Sequence, residues 1–277
     1  MSSEFLAKIN KDPRPVHIAW MVAILGFGTF YYDFSLSLEI IAVIFCSGVL
    51  SHLTLSSVFK TYSGSILSSL ITCTGLSLLV RTESLWFAAM LAALAIGSKF
   101  VLRLNGKHIF NPANFGVAIG MLCFSEVWVS AGHWGSGIQI LLLLSLLGSV
   151  LVKRAGASEL SLAFLFSYVS IWLVYRSLYL GYELEILLHS ISSGSFIIFS
   201  FFMVSDPRTC PANRFARYLH IFLVAIVAHI FTYYLYLENG PILALFFLSI
   251  LVPVWDYLLS GEEYRWEKSS FVKRVVA

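Results

Sequence analysis

Residues 105–120 read NGKHIFNPANFGVAIG, a polar knot set between two long apolar runs. Asn105, Lys107, His108, Asn111 and Asn114 bring amides, an ammonium and an imidazole to a segment whose surroundings read as buried in lipid. Polar groups at that depth are costly unless they are paired or used. Pro112 suits a first helical turn, because the amide proton it lacks would have had no partner there. The sequence therefore predicts a helix starting at Pro112, with free N-terminal amides beside Asn111 and Asn114. Two readings of that start stand side by side. One is a donor-rich site for an anion, a phosphate or a carbonyl-bearing ring. The other is a capped re-entry turn, in which Asn111 satisfies backbone donors and binds nothing.

Outward from this knot the chain is apolar almost throughout. It is 58% hydrophobic and only 12% charged, with a mean hydropathy of +0.84, whereas soluble domains carry about a quarter of their residues as charges. A soluble globular protein is excluded, and an integral membrane protein of 277 residues is expected. A spanning helix needs about 20 mainly apolar residues. The apolar runs predict spans over 16–32, 36–56, 63–80, 84–102, 112–129, 137–152, 160–176, 186–205, 216–237 and 241–259. The expected fold is thus all-α: a single polytopic membrane domain of about ten transmembrane helices, with a polar tail from about 260 to 277. The N-terminus carries Lys8, Lys11 and Arg14 but no small-residue cleavage signal, so the first helix is expected to be retained.

With the N-terminus inside, nearly all basic residues fall on inner loops and tails, and the outer loops hold only Arg81 and Arg176. That asymmetry predicts an even number of spans with both termini cytoplasmic. It also accounts for the formal charge of +3 without a nucleic-acid partner.

Two pairs of motifs recur at an offset of about 130 residues. Ser63-Gly64-Ser65 opens the third span and Ser193-Gly194-Ser195 lies early in the eighth, while Pro112 opens the fifth span and Pro241 the tenth. The pairing predicts two five-helix repeats, about 16–129 and 137–259, inserted in opposite directions because five is odd. Inverted repeats place ligand sites near helices interrupted by Gly or Pro. Small residues at such positions also serve plain helix packing.

A second polar group follows the eighth span: Asp206, Pro207, Arg208, Thr209 and Asn213. Pro207 stops the helix and Asn213 suits the N-cap of the next. A carboxylate at a span's end is either snorkelling or functional. His189 and His229 fall toward the same half of their spans, where two imidazoles can hold a haem iron, although a hydrogen-bonded histidine is commoner. Cys46, Cys73, Cys123 and Cys210 are single and widely spaced, which favours packing over disulfide or metal roles. No metal site and no catalytic residue is predicted.

Three stretches carry a resemblance to a known family: FNPANFG at 110–116, SSGSFIIFSFFMVSDPRT at 192–209 followed by NRFAR at 213–217, and GPILALFFLSILVPVWDYL at 240–258. Together they resemble the NqrB/RnfD family of membrane proteins, found in the sodium-pumping NADH:quinone oxidoreductase and in the Rnf electron transport complex. The resemblance implies ten helices in inverted repeats and flavin carried within the membrane. It further implies electron transfer coupled to ion movement, in a multisubunit complex of a bacterial cytoplasmic membrane. Asp206, Pro207 and Thr209 match the family's DPxT element, and Asn111, Pro112 and Ala113 its NPA element. Family members with covalent FMN attach it to a threonine in an SGAT loop between the fifth and sixth helices. Here that loop, residues 130–136, reads SAGHWGS and has no threonine. In this it is similar to the UnbU-type branch.

The function expected from these readings is electron transfer by a flavin, FMN or riboflavin, held noncovalently between the repeats. Ser63, Gly64, Ser65, Asn111, Pro112, Asn114, Ser193, Gly194, Ser195, Asp206 and Thr209 are the candidate binding residues. The lipid bilayer and other membrane or peripheral redox subunits are the expected partners. A small-solute transporter or channel on the same inverted-repeat axis, or a cofactor-free scaffold subunit, are the alternatives.

Overall fold

The computed structural model describes residues 12, 14–30, 36–60, 65–129, 138–265 and 270–273. Lys8, Lys11, Ser63, Gly64 and the loop 130–136 lie outside the described residues. The chain divides into two compact units, Met1–Ser136 and Gly137–Ala277.

The first unit holds α1 (Arg14–Phe30), α2 (Leu38–Val58), α3 (Ile66–Leu79), α4 (Leu85–Val101) and α5 (Pro112–Cys123). Its centre is the close approach of α4 and α5. Ala88, Ala92 and Ala95 of α4 are fully buried. A methyl group added at Gly116 would stand 2.9 Å from Ala95 Cβ and 3.2 Å from the Leu91 carbonyl, so only glycine lets the two backbones come this close. Two short antiparallel ladders tie the ends. β1 (Val80–Arg81) pairs with β4 (Trp128–Val129), and β2 (Arg103–Leu104) with β3 (Lys107–His108). The second ladder is a hairpin turned by Asn105 at φ 51° and Gly106 at φ 82°, the left-handed pair that a two-residue hairpin turn requires. Arg81 packs its guanidinium on the carbonyls of Leu78 and Val80 at the end of α3, where a cation offsets the helix dipole. Burial lowers its pKa to about 10, which leaves it charged near neutral pH.

The second unit holds α6 (Ile138–Arg154) and α7 (Ser158–Ile171), whose helix continues in π form over Trp172–Tyr179. These are followed by α8 (Leu184–Ile191), α9 (Gly194–Ile198) with its π extension Phe199–Met203, α10 (Arg214–Tyr233), α11 (Gly240–Ser249) and α12 (Val252–Leu258). A final hairpin pairs β5 (Glu262–Arg265) with β6 (Ser270–Lys273). The two units share a scheme of internal neighbours. With the bent α8–α9 pair of the second unit counted as one segment, in each unit the second helix packs on the fourth (α2 on α4, α7 on α10). The fourth packs on the fifth (α4 on α5, α10 on α11), and the first on the third (α1 on α3, α6 on α9).

Among the described residues three helices are long and apolar enough to cross a membrane, Leu38–Val58, Ser158–Tyr179 and Arg214–Tyr233. The number rises to five if each of two bent pairs counts as one span. Leu184–Ile191 meets Gly194–Met203 at 65°, and Gly240–Ser249 meets Val252–Leu258 at 44°. The expected eighth span is therefore broken at Ser192-Ser193, and the tenth bends just before Pro253, whose ring cannot continue the preceding turn. The expected fifth span ends at Cys123, not 129, because residues 124–127 turn back toward the β1–β4 ladder. At 12 residues α5 measures about 18 Å, well short of a hydrocarbon core of about 30 Å.

The N-terminal ends of α7 and α10 are joined by charge. Glu159 lies 3.6 Å from the buried Arg217 and 3.3 Å from the exposed Arg214, and it accepts from the Tyr218 hydroxyl at 3.0 Å. Asn213 caps α10 twice over, its side-chain oxygen accepting from Phe215 N at 2.9 Å and Ala216 N at 3.3 Å. Asn213→Ala is expected to cost about 1 kcal/mol, read as a lower Tm of the detergent-solubilised protein.

Candidate functional site

The start of α5 is built as the sequence suggests. Asn111 is its N-cap and accepts from Asn114 N at 3.1 Å, and Pro112 occupies the first turn. Asn111 is 6% exposed and Asn114 fully buried. The capping reading of Asn111 thus has its geometry, and two side-chain amides stand beside it inside the first unit.

The start of α3 is a second capped break. Ser65 accepts from Leu67 N at 3.3 Å. One turn further in, the Ser68 carbonyl receives the ammonium of Lys99 at 2.7 Å, and the Ser68 hydroxyl lies 3.1 Å from the same nitrogen. Lys99 is 2% exposed. Alongside it the Ser69 hydroxyl lies 2.9 Å from Nδ1 of the buried His52 on α2. A buried ammonium therefore stands at the positive end of α3, and both fields favour a bound group that gains negative charge.

Neither Lys99 nor this use of His52 is among the residues singled out from the sequence. The signal was present, since a lysine three residues before the end of the expected span 84–102 is an intramembrane charge, and such charges mark function.

Within the first unit α3 and α5 touch where Gly75 faces Ala113, about 15 Å along α3 from its Ser65 cap at 1.5 Å per residue. Ser65 with Lys99 and Asn111 with Asn114 are thus two polar groups on adjoining helices.

In the second unit Ser193 caps α9, accepting from Phe196 N at 3.3 Å, and Gly194 and Ser195 are buried in its first turn. The motif sits at the 65° break, as Ser65 sits at the start of α3. Asp206 lies at the other end of the same segment, about 15 Å along its ten residues. Its carboxylate accepts from Arg208 N at 3.0 Å, and Thr209 donates to the Asp206 carbonyl at 3.3 Å, so hydrogen bonds within DPRT shape a turn. Ser193 and Asp206 are not brought together. His229 donates to a backbone carbonyl and His189 is exposed.

Residues 124–265, just over half of the chain, match the NQR2, RnfD, RnfE family. The chain belongs to this family. NQR2, RnfD and RnfE proteins are membrane subunits of Rnf and Nqr complexes. A search of curated proteins finds no match to the chain. The matched range covers the SGS break, the DPRT turn and both bent helix pairs of the second unit, so those features belong to the family portion of the chain.

Proposed function

We propose that this NQR2, RnfD, RnfE family member is an electron-transfer subunit of an Rnf- or Nqr-like complex that holds a flavin, FMN or riboflavin, noncovalently at its polar helix breaks. The observation that carries this reading is the Lys99 ammonium buried on Ser68 beside the Ser65-capped start of α3. The donor set suits the group. A flavin ring presents carbonyls and N1, which accept hydrogen bonds and gain negative charge on reduction. Lys99 and the α3 N-terminus supply positive potential for that charge, and Asn111 and Asn114 supply buried amides on the adjoining helix. When bound, the flavin supplies the electron chemistry, while the protein binds, orients and tunes it. Noncovalent attachment is proposed because residues 130–136 contain no threonine.

The proposal includes ten spans in two inverted five-helix halves, both termini cytoplasmic, and redox subunits as partners in the complex. The repeated neighbour scheme and the matched serine caps support it. Purification under mild detergent is expected to give a yellow protein with flavin absorption, about one flavin per chain. A colourless preparation free of flavin overturns the reading.

The two bent pairs also favour a second reading, since interrupted helices line the sites of many transporters. Solute uptake into proteoliposomes that is indifferent to reductant would establish transport in place of electron transfer.

A further inference from the structure

The π-helical end of α7 carries an arginine whose hydrogen-bonding edges are unused. The Arg176 guanidinium carbon lies 4.3 Å over the Tyr182 ring and 4.1 Å over the Tyr233 ring. Among the described residues no carboxylate pairs with Arg176, and its buried Nε has no hydrogen-bond acceptor. Ring contacts occupy the face of the guanidinium and leave its N–H edges for hydrogen bonds, the geometry that binds a phosphate.

His229, 5% exposed, stands on the facing side of α10. Its Nδ1 lies 2.9 Å from the Ala225 carbonyl. A carbonyl only accepts, so Nδ1 carries the proton, and Nε2 of the uncharged ring is an acceptor. That Nε2 is buried and has no partner. Both side chains line a cavity of about 210 Å³ between α7 and α10, walled by Ile171, Ile226 and Ile230 with Tyr175 and Tyr234 at its edge. The site thus asks for three things at once: an anionic acceptor at Arg176, a hydroxyl donor at His229, and apolar chain along the isoleucines.

We infer that this cleft binds an anionic glycerophospholipid with a free headgroup hydroxyl, of the phosphatidylglycerol kind. The phosphate lies on Arg176, the hydroxyl donates to His229 Nε2, and an acyl chain follows the isoleucine wall. Soluble phosphate has no use for that wall. A headgroup carrying an ammonium is repelled by Arg176. The depth also fits, because both helices are long and apolar enough to cross a membrane and Arg176 and Tyr233 lie at their ends, where tyrosines sit at headgroup level. Ile230 is 41% exposed and Tyr234 53%, so the cleft opens on the helix surface that lipid covers. Tyr175 and Arg176 of the lining lie in the π-helical stretch, and such turns cluster at functional sites. This site is independent of the flavin reading.

The test is native mass spectrometry of the full chain, extracted in mild detergent and exposed to equal phosphatidylglycerol, phosphatidylethanolamine and phosphatidylcholine. The wild type is expected to retain phosphatidylglycerol about fivefold over the others, the effect of one basic residue at a membrane surface. Arg176→Gln is expected to abolish that preference. Ile230→Trp, which fills the cleft from an exposed position without touching the arginine, is expected to do the same. Equal retention by the wild type, a preference that survives both substitutions, or displacement of the lipid by millimolar inorganic phosphate overturns the proposal.

Discussion

Lys99→Met is expected to lower flavin affinity by between about tenfold and a hundredfold, the effect of losing one hydrogen bond or field contact to a charged group. The same substitution is expected to leave the folding stability of the protein within about 1 kcal/mol of the wild type, or to raise it, because replacing a buried charge by an apolar side chain of similar size is often neutral or stabilising. The local geometry supports this. Ser68 O keeps its bond from the Thr72 hydroxyl at 3.0 Å, so that carbonyl is not orphaned when the ammonium goes. Methionine is flexible enough to fill the space the lysine stem occupied. The two readouts therefore separate the roles. If Lys99 merely pins α4 to α3, its loss lowers the Tm and any flavin falls only in step with the folded fraction. If it is there for a guest, the flavin-to-protein absorbance ratio collapses in a protein that still elutes and melts as the wild type does. An unchanged ratio at unchanged Tm rejects the role assigned to Lys99.

The helices and their capped starts are legible in the sequence because their signals are local. Pro112 after Asn111, Asn213 before an apolar run, and Ser-Gly-Ser before α3 each announce a helix start through backbone chemistry that needs no tertiary context. The Asn105-Gly106 turn is equally local, and Asn-Gly between strands is a strong hairpin signal, yet the apolar runs on either side draw attention to its polarity alone. Other features depend on partners far along the chain. Lys99 finds Ser68 across 31 residues and His52 meets Ser69 across 17. Hydropathy sees each as one polar residue in an apolar run. The break at Ser192-Ser193 and the bend before Pro253 are hidden by apolarity on both sides, which reads as one continuous span. Asp206 shows the converse. Its motif is prominent in sequence, but the described carboxylate contact is with Arg208 N inside its own turn. The distance between the ends of α9 and its π extension keeps it from Ser193.

Gly261→Ala is expected to destabilise the protein by about 2–3 kcal/mol, the upper part of the range for forced overpacking, although Gly261 is an exposed residue in a polar stretch. A methyl group there would overlap the carbonyl carbon and oxygen of Ala212 and the nitrogen of Asn213. Those atoms cannot give way as a side chain can, because each is held from another direction. Ala212 N donates to Asp256 Oδ1 at 2.7 Å. Ala212 O accepts from Glu262 N at 3.1 Å and from Arg217 at 3.0 Å, and Asn213 Nδ2 reaches Ser260 O at 2.9 Å. Pushing Gly261 away breaks the contacts made by its two neighbours, Ser260 and Glu262, at once. It also draws on the Tyr264 hydroxyl, which is anchored on Ala155 O at 2.6 Å. The effect reaches the DPRT turn, since Ala212 follows Thr209 by three residues and directly precedes the Asn213 cap of α10. Ser260→Ala is the control, because Asn213 uses only the Ser260 carbonyl, and surface changes of that kind stay within about 0.5 kcal/mol. Comparing the two variants by thermal unfolding in detergent isolates the backbone contact. If Gly261→Ala melts with Ser260→Ala and the wild type, the hairpin is not seated on the 206–213 loop, and the stability of that turn must come from α10 and α12 alone.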